Sequence, residues 1–304
     1  MNSRSGAPDT LTCPDCGAAR PRLVGRGISF GRYAGGRLVD SAQRPGIYRC
    51  GTCSLVFKHP RIGGEEALDF YNEADGSVWS SRLRPEFDQA QQLVEACGLP
   101  SPRVLDVGCN RGEFLSRLGP DVGKFGVEVN RSAAAHARAD GMQVWAQLSD
   151  IPDDQTFDVV TTFDVIEHVE TPGPFLHALL ARVAPGGLLL VSSGDADAFL
   201  AQPRPALNWY FANPEHVSFV SEAWFRGRLK GAPPATLEDV RRFLHGRAIQ
   251  GAVPRFKIAA FKAWPAGYLG LYKLAKKTVS SEGGLFVPGN GYSVDHLCAV
   301  IRRN

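Results

Sequence analysis

The sequence predicts an α/β protein with a doubly wound, mostly parallel sheet and a small N-terminal zinc-ribbon module. Three observations predict this fold. Between residues 101 and 195, short apolar runs alternate with amphipathic segments, which is the pattern of βαβ units. Runs such as residues 188–193 are almost wholly apolar, as expected of strands buried on both faces. The first 60 residues instead contain two Cys-x-x-Cys pairs among many Gly and Arg residues.

The predicted elements follow one another in a regular order. A helix over residues 85–97 is indicated by apolar side chains that recur at three- and four-residue spacing. Strands are predicted over 103–109, 124–129, 144–147, 157–163, 188–193 and 296–301. Further helices are predicted over 112–118, 132–140 and 174–183. Ligands of such sheets bind beyond the carboxyl ends of the strands, so the site is expected at that edge.

Composition and charge exclude several classes of protein. The 304 residues are 44% hydrophobic and 21% charged, as in ordinary globular proteins. No apolar run is long enough to span a membrane, and the N-terminus lacks the apolar core of a secretory signal. The net charge of +3 divides into +6 over residues 1–60, −12 over 61–220 and +9 over 221–304. This segregation argues against one uniform nucleic-acid-binding surface, and the oligomeric state does not follow from the sequence.

Four of the seven cysteines form two pairs, Cys13 with Cys16 and Cys50 with Cys53. Two such pairs are typical of four thiolates around one tetrahedral zinc ion, and a closed site of this kind is structural. The 33 residues between the pairs have room for a hairpin over 28–33 and 37–39. The alternative of incidental thiols is disfavoured by the paired spacing. The odd cysteine count favours a reducing compartment, so we expect a cytoplasmic protein.

A strand–turn–helix motif runs from Asp106 to Gly112, with Gly108 at the turn. Glycine permits a tight turn there, and the exposed backbone N–H groups would face a ligand. Asn110 and Glu113 stand where the dinucleotide fingerprint requires glycine, and no Gly-Lys-Ser/Thr of a P-loop follows. By itself, this motif is equally consistent with glycines that serve only packing.

Three later motifs extend the pattern. Glu128 ends the second strand, where a carboxylate can accept both hydroxyls of a ribose. Residues 163–168, FDVIEH, end the fourth strand, and residues 185–187, PGG, precede the fifth. Together with VLDVGCNRG at 104–112, these motifs resemble the class I S-adenosylmethionine-dependent methyltransferases, in the branch with a later Glu-His motif. The resemblance covers about residues 70–225 and the last strand.

The resemblance implies a Rossmann-like sheet of seven strands whose last strand is antiparallel. It also implies roles at the cofactor: Asp106, Gly108, Asn110 and Gly112 line its methionine end, Glu128 holds the ribose, Gln147 and Leu148 flank adenine, and Phe163 lies near the sulfonium. Asn110 replaces the middle glycine of the family's turn. Because asparagine tolerates left-handed backbone conformations, we expect the turn to survive.

The part of the site that binds the methyl acceptor, called the acceptor end below, is expected around Glu215 and His216. In the resembling family a Glu-His pair at this place faces the substrate, and the histidine is the proposed base, a role that suits a pKa near neutrality. His168 is the third catalytic candidate, with the alternative role of orienting its loop. Both histidines are also interpretable as buried, hydrogen-bonded core residues. The module that ends at 50–60 resembles that of the sugar C-methyltransferases, although this chain is too short for their whole C-terminal substrate domain.

The sequence therefore predicts methyl transfer from S-adenosylmethionine to a small molecule, a sugar or natural-product scaffold, at carbon or oxygen. The expected organisation is a zinc ribbon over 1–60, a helical connector over 61–100 and the methyltransferase domain over 101–304. One alternative is an RNA methyltransferase whose N-terminal zinc module binds the phosphates of RNA. The other is a non-catalytic scaffold protein. Peripheral membrane contact through the basic, apolar stretch 256–277 is disfavoured because Pro265 and Gly270 interrupt it. The arginines of the RNA alternative are Arg20, Arg22, Arg26, Arg32 and Arg37.

Overall fold

The computed structural model describes residues 11–27, 31–33, 37–39, 44–61, 67, 71–72, 84–202, 204–231, 234–243 and 295–304. The stretch 256–277 lies outside the described residues, as does most of the connector up to residue 83. Within the described ranges, no helix is both long and apolar enough to cross a membrane.

The described strands and helices are numbered here in chain order. The strands are β1 (Arg22–Arg26), β2 (Gly31–Tyr33), β3 (Arg37–Val39), β4 (Gly46–Arg49), β5 (Val56–His59), β6 (Arg103–Val107), β7 (Gly123–Val127), β8 (Gln143–Trp145), β9 (Phe157–Phe163), β10 (Val183–Gly194), β11 (Ser218–Phe219), β12 (Ala235–Phe243) and β13 (His296–Arg303). The α-helices are α1 (Pro85–Ala96), α2 (Arg131–Ala139), α3 (Pro172–Ala181), α4 (Ala196–Leu200), α5 (Trp209–Ala212) and α6 (Glu222–Arg228).

The central sheet has seven strands in the order β12-β13-β10-β9-β6-β7-β8. Strands β6 to β10 are parallel, and β13 is antiparallel to both of its neighbours, as the resemblance implies. The chain runs from β6 outward through β7 to β8, and then returns to β9 on the other side of β6. The strand order therefore reverses between β6 and β9, and ligands of such sheets bind in the crevice beyond the strand ends at that point.

Helices cover both faces of this sheet, which is the doubly wound arrangement. On one face, apolar residues of α1 and α2, such as Phe87 and Ala134, pack on Val104 and Val159. On the other face, α3 and α6 pack on the same strands. Each central strand is therefore buried on both sides, which explains why the sequence shows continuous apolar runs instead of alternation.

The prediction of a helix over 112–118 is wrong. The segment has only turns and a 3₁₀ turn at Leu115–Arg117. Gly112 has a φ of 84°, which an α-helix does not accommodate. A Cβ atom at this position would lie 2.4 Å from Sδ of Met142. The left-handed backbone at Gly112 therefore breaks the predicted helix at its first residue, and Met142 packs where a Cβ atom would lie.

The N-terminal module forms a second sheet in the order β1-β4-β5-β11. Its fourth strand, β11, comes from the other end of the chain, directly after the Glu-His motif. Strands β2 and β3 pair as an antiparallel hairpin, which confirms that the spacer between the cysteine pairs contains one. The domain boundary at residue 60 stays a prediction.

Asp15, between the first two cysteines, anchors the module to the central domain. Its buried carboxylate accepts hydrogen bonds from the backbone N–H of Gly173 (2.6 Å), Nε1 of Trp224 (2.8 Å) and Nε of Arg228 (2.7 Å). A buried carboxylate needs such partners to offset the loss of hydration. The cysteine-bearing turn is therefore held against the start of α3 and the side of α6.

Candidate active site

The turn after β6 is tightly constrained by its surroundings. Gly108 has a φ of 81°, and a Cβ atom there would lie 2.4 Å from Cγ2 of Val165. Asn110 also lies in the left-handed region, with a φ of 47°. The N–H of Gly108 donates to the carbonyl of Val127 at 2.8 Å, which joins the turn to the end of β7. The turn thus has the left-handed geometry of the family's turn despite the asparagine.

Glu128 lies one residue beyond β7 and holds this turn in place. Its Oε2 accepts a hydrogen bond from the N–H of Asn110 (2.8 Å), and its Oε1 accepts one from the N–H of Asn130 (2.7 Å). Burial raises the pKa of the Glu128 carboxyl, and these backbone hydrogen bonds oppose the rise. Each oxygen keeps a second lone pair, so the carboxylate can still accept hydroxyl donors from a ligand.

Asp106 lies buried near the end of β6, at the bottom of the crevice. Its Oδ1 accepts a hydrogen bond from Oγ1 of Thr161 at 2.8 Å. Burial raises the pKa of Asp106 to about 7, because the carboxylate loses hydration that one hydroxyl does not replace. Without a cationic ligand, this side chain therefore exchanges its proton near neutrality.

This pKa predicts a pH dependence of stability. The unfolded value is 3.8, so between pH 3.8 and about 7 the folded protein binds more protons at Asp106 than the unfolded chain. The free energy of unfolding should therefore fall as the pH rises through this interval. Asp106→Asn, which keeps an acceptor for Thr161, should remove this part of the slope. Urea unfolding of both proteins without cofactor at several pH values tests it; equal slopes would contradict the prediction.

The other predicted cofactor residues lie at the same edge of the sheet. Phe163 is 6% exposed and packs edge-to-face against Phe87 and Phe114, with ring centroids 5.0 and 5.2 Å away. Gln147 is exposed and Leu148 is half-buried in the turn after β8. Phe163 is therefore part of a rigid aromatic cluster, whereas Gln147 and Leu148 are on an open rim. Their roles at the cofactor stay predictions.

Glu167 joins several elements at the acceptor end of the crevice. Its carboxylate is buried and accepts hydrogen bonds from the hydroxyls of Tyr210 (2.7 Å) and Ser193 (2.9 Å). The Tyr210 hydroxyl in turn accepts from the N–H of Gly194 at 2.8 Å. Burial raises the pKa of Glu167 to about 7. This network ties the end of β10 to α5 and to the FDVIEH motif.

The hydrogen bonds of His216 define its tautomer. Oδ1 of Asn213 accepts from the N–H of Glu215 (3.1 Å), so the Asn213 amide must present its NH₂ group to Nε2 of His216 (3.1 Å). Nδ1 of His216 then carries the hydrogen, and this N–H donates a hydrogen bond to the carbonyl of Tyr210 (3.0 Å). Burial lowers the pKa of His216 well below its usual value, which keeps the ring neutral.

Tyr71 connects the two ends of the crevice. Its hydroxyl lies 2.6 Å from Nδ1 of His168 and 3.4 Å from Oε2 of Glu215. Its carbonyl accepts a hydrogen bond from Nδ2 of Asn130 (2.6 Å), next to Glu128 on the cofactor side. The His168 ring lies edge-to-face with His216, at 4.9 Å between centroids. The structure thus brings the three predicted catalytic residues together around a tyrosine that the sequence analysis missed.

Glu167, His168 and His216 have donor atoms within 4.8 Å of one another, close enough to consider a metal ion. Both oxygens of Glu167 and both nitrogens of His216 already take part in hydrogen bonds. A metal ligand needs a lone pair directed at the ion, whereas Nδ1 of His216 carries a hydrogen and its Nε2 lone pair is directed at the Asn213 amide. The cluster therefore fits a hydrogen-bonded site better than a metal site.

The four paired cysteines converge in the N-terminal module. The Sγ atoms of Cys13 and Cys53 are 3.6 Å apart, those of Cys16 and Cys50 are 3.5 Å apart, and all four lie within 4.8 Å of one another. Tetrahedral zinc with bonds of about 2.3 Å places its sulfurs about 3.8 Å apart. The hydrogen bond between Cys13 and Cys53 lowers the pKa of Cys13 and raises that of Cys53, so Cys13 is the first thiolate of this pair. The donor set and spacing fit zinc.

Two other residues at the crevice were also missed. Arg84, just before α1, pairs with Glu86 at 2.7 Å and with Asp164 of the FDVIEH motif. Lys58, in β5, is fully buried and reaches the turn that carries the Glu-His motif. Only Lys58 left a sequence signal, namely a lysine directly after the apolar run 55–57. Long-range partners of this kind are not encoded in local patterns.

Comparisons with known proteins agree with this fold. A family model described as a methyltransferase domain matches residues 80–232, half of the chain. The ubiquinone biosynthesis O-methyltransferase of Psychrobacter cryohalolentis is 34% identical over 114 residues, which cover 34% of this chain and 44% of that protein. Its counterpart in Bradyrhizobium diazoefficiens is 39% identical over 101 residues, 30% of this chain and 39% of that protein. The chain thus spans less than half the length of these relatives.

Among solved structures, a coclaurine N-methyltransferase bound to N-methylheliamine and S-adenosylhomocysteine aligns with a TM-score of 0.48 and 12% identity. The alignment covers 83% of this chain and 76% of that one. The sheet order, the left-handed turn after β6 and the family match over residues 80–232 agree with one another. The chain therefore belongs to the family of proteins with this methyltransferase domain, and its central sheet has the Rossmann-like order of seven strands that the resemblance implies.

Proposed function

We propose that this protein transfers the methyl group of S-adenosylmethionine to a small-molecule acceptor. The observation that carries the proposal is the set of hydrogen bonds that links the turn after β6 to the Glu-His turn. The turn held by Glu128 lies on one side, the pair Glu215 and His216 lies on the other, and Tyr71 bonds to groups on both sides. When bound, the cofactor supplies an electrophilic methyl group on a good leaving group. The protein then has to position the acceptor and, where needed, remove its proton.

On the cofactor side, we propose that Asp106 and the turn 108–112 hold the methionine end and that Glu128 holds the ribose. Gln147 and Leu148 would flank the adenine, and Phe163 would wall the sulfonium end. The rigidity of the Glu128 carboxylate supports its part, since two backbone N–H groups already fix its direction. A carboxylate whose direction is fixed in this way loses little conformational entropy when it accepts hydrogen bonds from a ligand.

Glu128→Ala should therefore weaken S-adenosylmethionine binding strongly. Hydrogen bonds to charged groups contribute about 1.5–3 kcal/mol each, so the loss of one ribose contact alone predicts at least about a tenfold weaker affinity. Calorimetric titration measures it. Glu95→Ala is the matched control, because Glu95 lies on α1 and its carboxylate accepts an exposed hydrogen bond from Nε2 of Gln91 on the same helix. Unchanged affinity in Glu128→Ala would remove Glu128 from the cofactor site.

On the acceptor side, we propose that His216 removes the proton and that Glu215 orients the acceptor or the imidazole. The lone pair at Nε2 supports this role, since an acceptor N–H or O–H can take the place of the Asn213 amide there. The pKa of His216 is well below the near-neutral value expected from the sequence, which makes the buried ring a weaker base. On protonation at Nε2, the Nδ1–H bond to the Tyr210 carbonyl would remain in place. His168, bonded to Tyr71, would orient this arrangement.

The acceptor is proposed to be a sugar or another natural-product scaffold, methylated at carbon or oxygen. The names of the curated relatives, O-methyltransferases of ubiquinone biosynthesis, support a small-molecule acceptor. Their matches cover about a third of this chain, so they give only weak support for the choice of acceptor. We further propose that the four-cysteine site holds one structural zinc ion and that the protein is cytoplasmic, in keeping with its seven free thiols.

The decisive experiment transfers a labelled methyl group from S-adenosylmethionine into fractionated extracts of the source organism. Label in a small-molecule fraction that is lost with Glu128→Ala would support the proposal. Label in RNA, with a steep salt dependence, would support the RNA alternative, for which Arg20, Arg22 and Arg26 are exposed on the module. A protein that binds no S-adenosylmethionine would instead be a scaffold.

A further inference from the structure

Lys58 is a buried lysine that the proposed chemistry does not use. It lies in β5 of the N-terminal module, and its side chain is 1% exposed. Fully buried lysines are rare, because removing an ammonium group from water is costly unless it has polar partners. Burial lowers the pKa of Lys58 to about 7, and the nearby Glu215 carboxylate opposes that change. A group kept buried at such a cost is a candidate for a specific role.

The side-chain amine and the backbone N–H of Lys58 both bond to the turn that carries Glu215 and His216. Its Nζ donates to the carbonyl of Asn213 at 2.6 Å, and its backbone N–H donates to the carbonyl of Val217 at 3.0 Å. These two carbonyls stand on either side of Glu215 and His216. One residue of the module therefore holds both ends of the turn 213–217.

The hydrogen bond at Asn213 also supports the internal structure of this turn. The same Asn213 carbonyl accepts from the N–H of His216 at 3.3 Å. Fixing the Asn213 backbone fixes its side chain, whose amide bonds to Nε2 of His216. The position of Lys58 is thus transmitted to the atom that the proposed function uses as the base.

Lys58 is also linked directly to the cysteine cluster. Strand β5 begins three residues after Cys53, and the N–H of Cys50 donates to the carbonyl of Leu55 at 2.8 Å. Strand β5 then pairs with β4 on one side and with β11, directly after His216, on the other. The four-cysteine site, Lys58 and the Glu-His turn therefore form one continuous hydrogen-bonded path.

We propose that Lys58 is a positioning residue for the acceptor end of the active site and that it couples the four-cysteine module to the turn 213–217. The proposal rests on the proposed function for the meaning of Glu215 and His216. The module then has a second role beyond its own folding, because it sets the place of the proposed base. The charged and titratable groups near the Lys58 ammonium are Glu215, His168 and His216, with the Tyr71 hydroxyl beyond them.

The first test measures amide hydrogen exchange of Glu215, His216 and Val217 in the full chain with its metal. Lys58→Met removes the amine and keeps the apolar stem, so exchange at these amides should accelerate about tenfold, as for the loss of one hydrogen bond to a charged group. Lys58→Gln keeps a donor and should accelerate it less. Lys124→Met is the matched control, because Lys124 also donates to a backbone carbonyl, that of Leu118 at 2.8 Å, but lies in β7.

The second test follows the two histidines by ¹⁵N NMR during a pH titration. Both Lys58→Met and Lys58→Gln remove a positive charge that opposes protonation, so the pKa values of His168 and His216 should rise in both. Lys124→Met should leave them unchanged. If Lys58→Met does not fold, the same measurements are made on two other proteins. These are Lys58→Gln and the wild-type protein from which a chelator has removed the metal. In the stripped protein the turn 213–217 should exchange faster, while the amides of β9 stay protected.

The proposal would be overturned if Lys58→Gln had wild-type amide exchange rates and wild-type histidine pKa values and if metal removal left the exchange of the turn 213–217 unchanged. These measurements need no acceptor. Calorimetry with S-adenosylmethionine on the same proteins tests the proposed function separately. A protein that fails to bind the cofactor but shows the coupling would refute only the function, and the reverse result would refute only the role of Lys58.

Discussion

His216→Ala is expected to lower methyl transfer by about 10²- to 10⁴-fold, the range for loss of a general base. Affinity for S-adenosylmethionine should hardly change, because the contacts of His216 are with Asn213, Tyr210 and His168 and not with the turn at Glu128. The measurements are single-turnover rates of labelled-methyl transfer from S-adenosylmethionine to the acceptor, and calorimetric affinity for the cofactor. A rate loss without an affinity loss would assign His216 to the chemistry of the acceptor.

Two further variants separate catalysis from stability. His216→Gln keeps a polar side chain in the buried site and should preserve the melting temperature better than alanine, yet it supplies no base. His168→Ala should affect cofactor binding more, because His168 bonds to Tyr71, whose carbonyl is bound by Asn130 beside Glu128. Full activity in His216→Ala, or unfolding of both His216 variants, would show that His216 is a core residue.

Removal of zinc is expected to have the largest effect on stability. Structural zinc sites of this kind bind with about 10–16 kcal/mol at neutral pH, and most of that energy is folding energy of the module. Metal analysis should find about one zinc per chain. Chelation or Cys13→Ser should unfold the sheet β1-β4-β5, whose strands join the two cysteine pairs. Circular dichroism and thiol reactivity before and after chelation measure this loss.

Cys97→Ser is the matched control for the zinc prediction. Cys97 follows α1 and is half-buried, outside the four-cysteine cluster. Its replacement should leave both the metal content and the stability of the module unchanged. Purified protein without zinc, in which the four thiols of the cluster react freely, would show that the cluster is not a metal site.

The sequence by itself determined six of the seven strands of the central sheet; β12 was missed, because its segment ATLEDVRRF is charged and has no continuous apolar run. The predicted strand over 157–163 has the observed bounds of β9, and the other predicted strands of the sheet overlap observed ones. This worked because burial on both faces leaves a continuous apolar run in the chain, which is a local signal. The turn with Gly108 and Asn110 was also predictable, since left-handed backbone favours glycine and asparagine.

Only the tertiary structure decided how the site is assembled. The helix expected from 112 fails because Gly112 has left-handed backbone, and Met142, 30 residues away, packs where its Cβ atom would lie. The amine of Lys58 bonds to the carbonyl of Asn213, 155 positions along the chain, and Tyr71 meets both His168 and Glu215. A local pattern records whether a residue is buried, but a hydrogen bond between distant segments depends on how the whole chain folds back on itself. The cysteine spacing predicted a module with a four-cysteine metal site, whereas the contact of this module with the Glu-His turn became visible only in three dimensions.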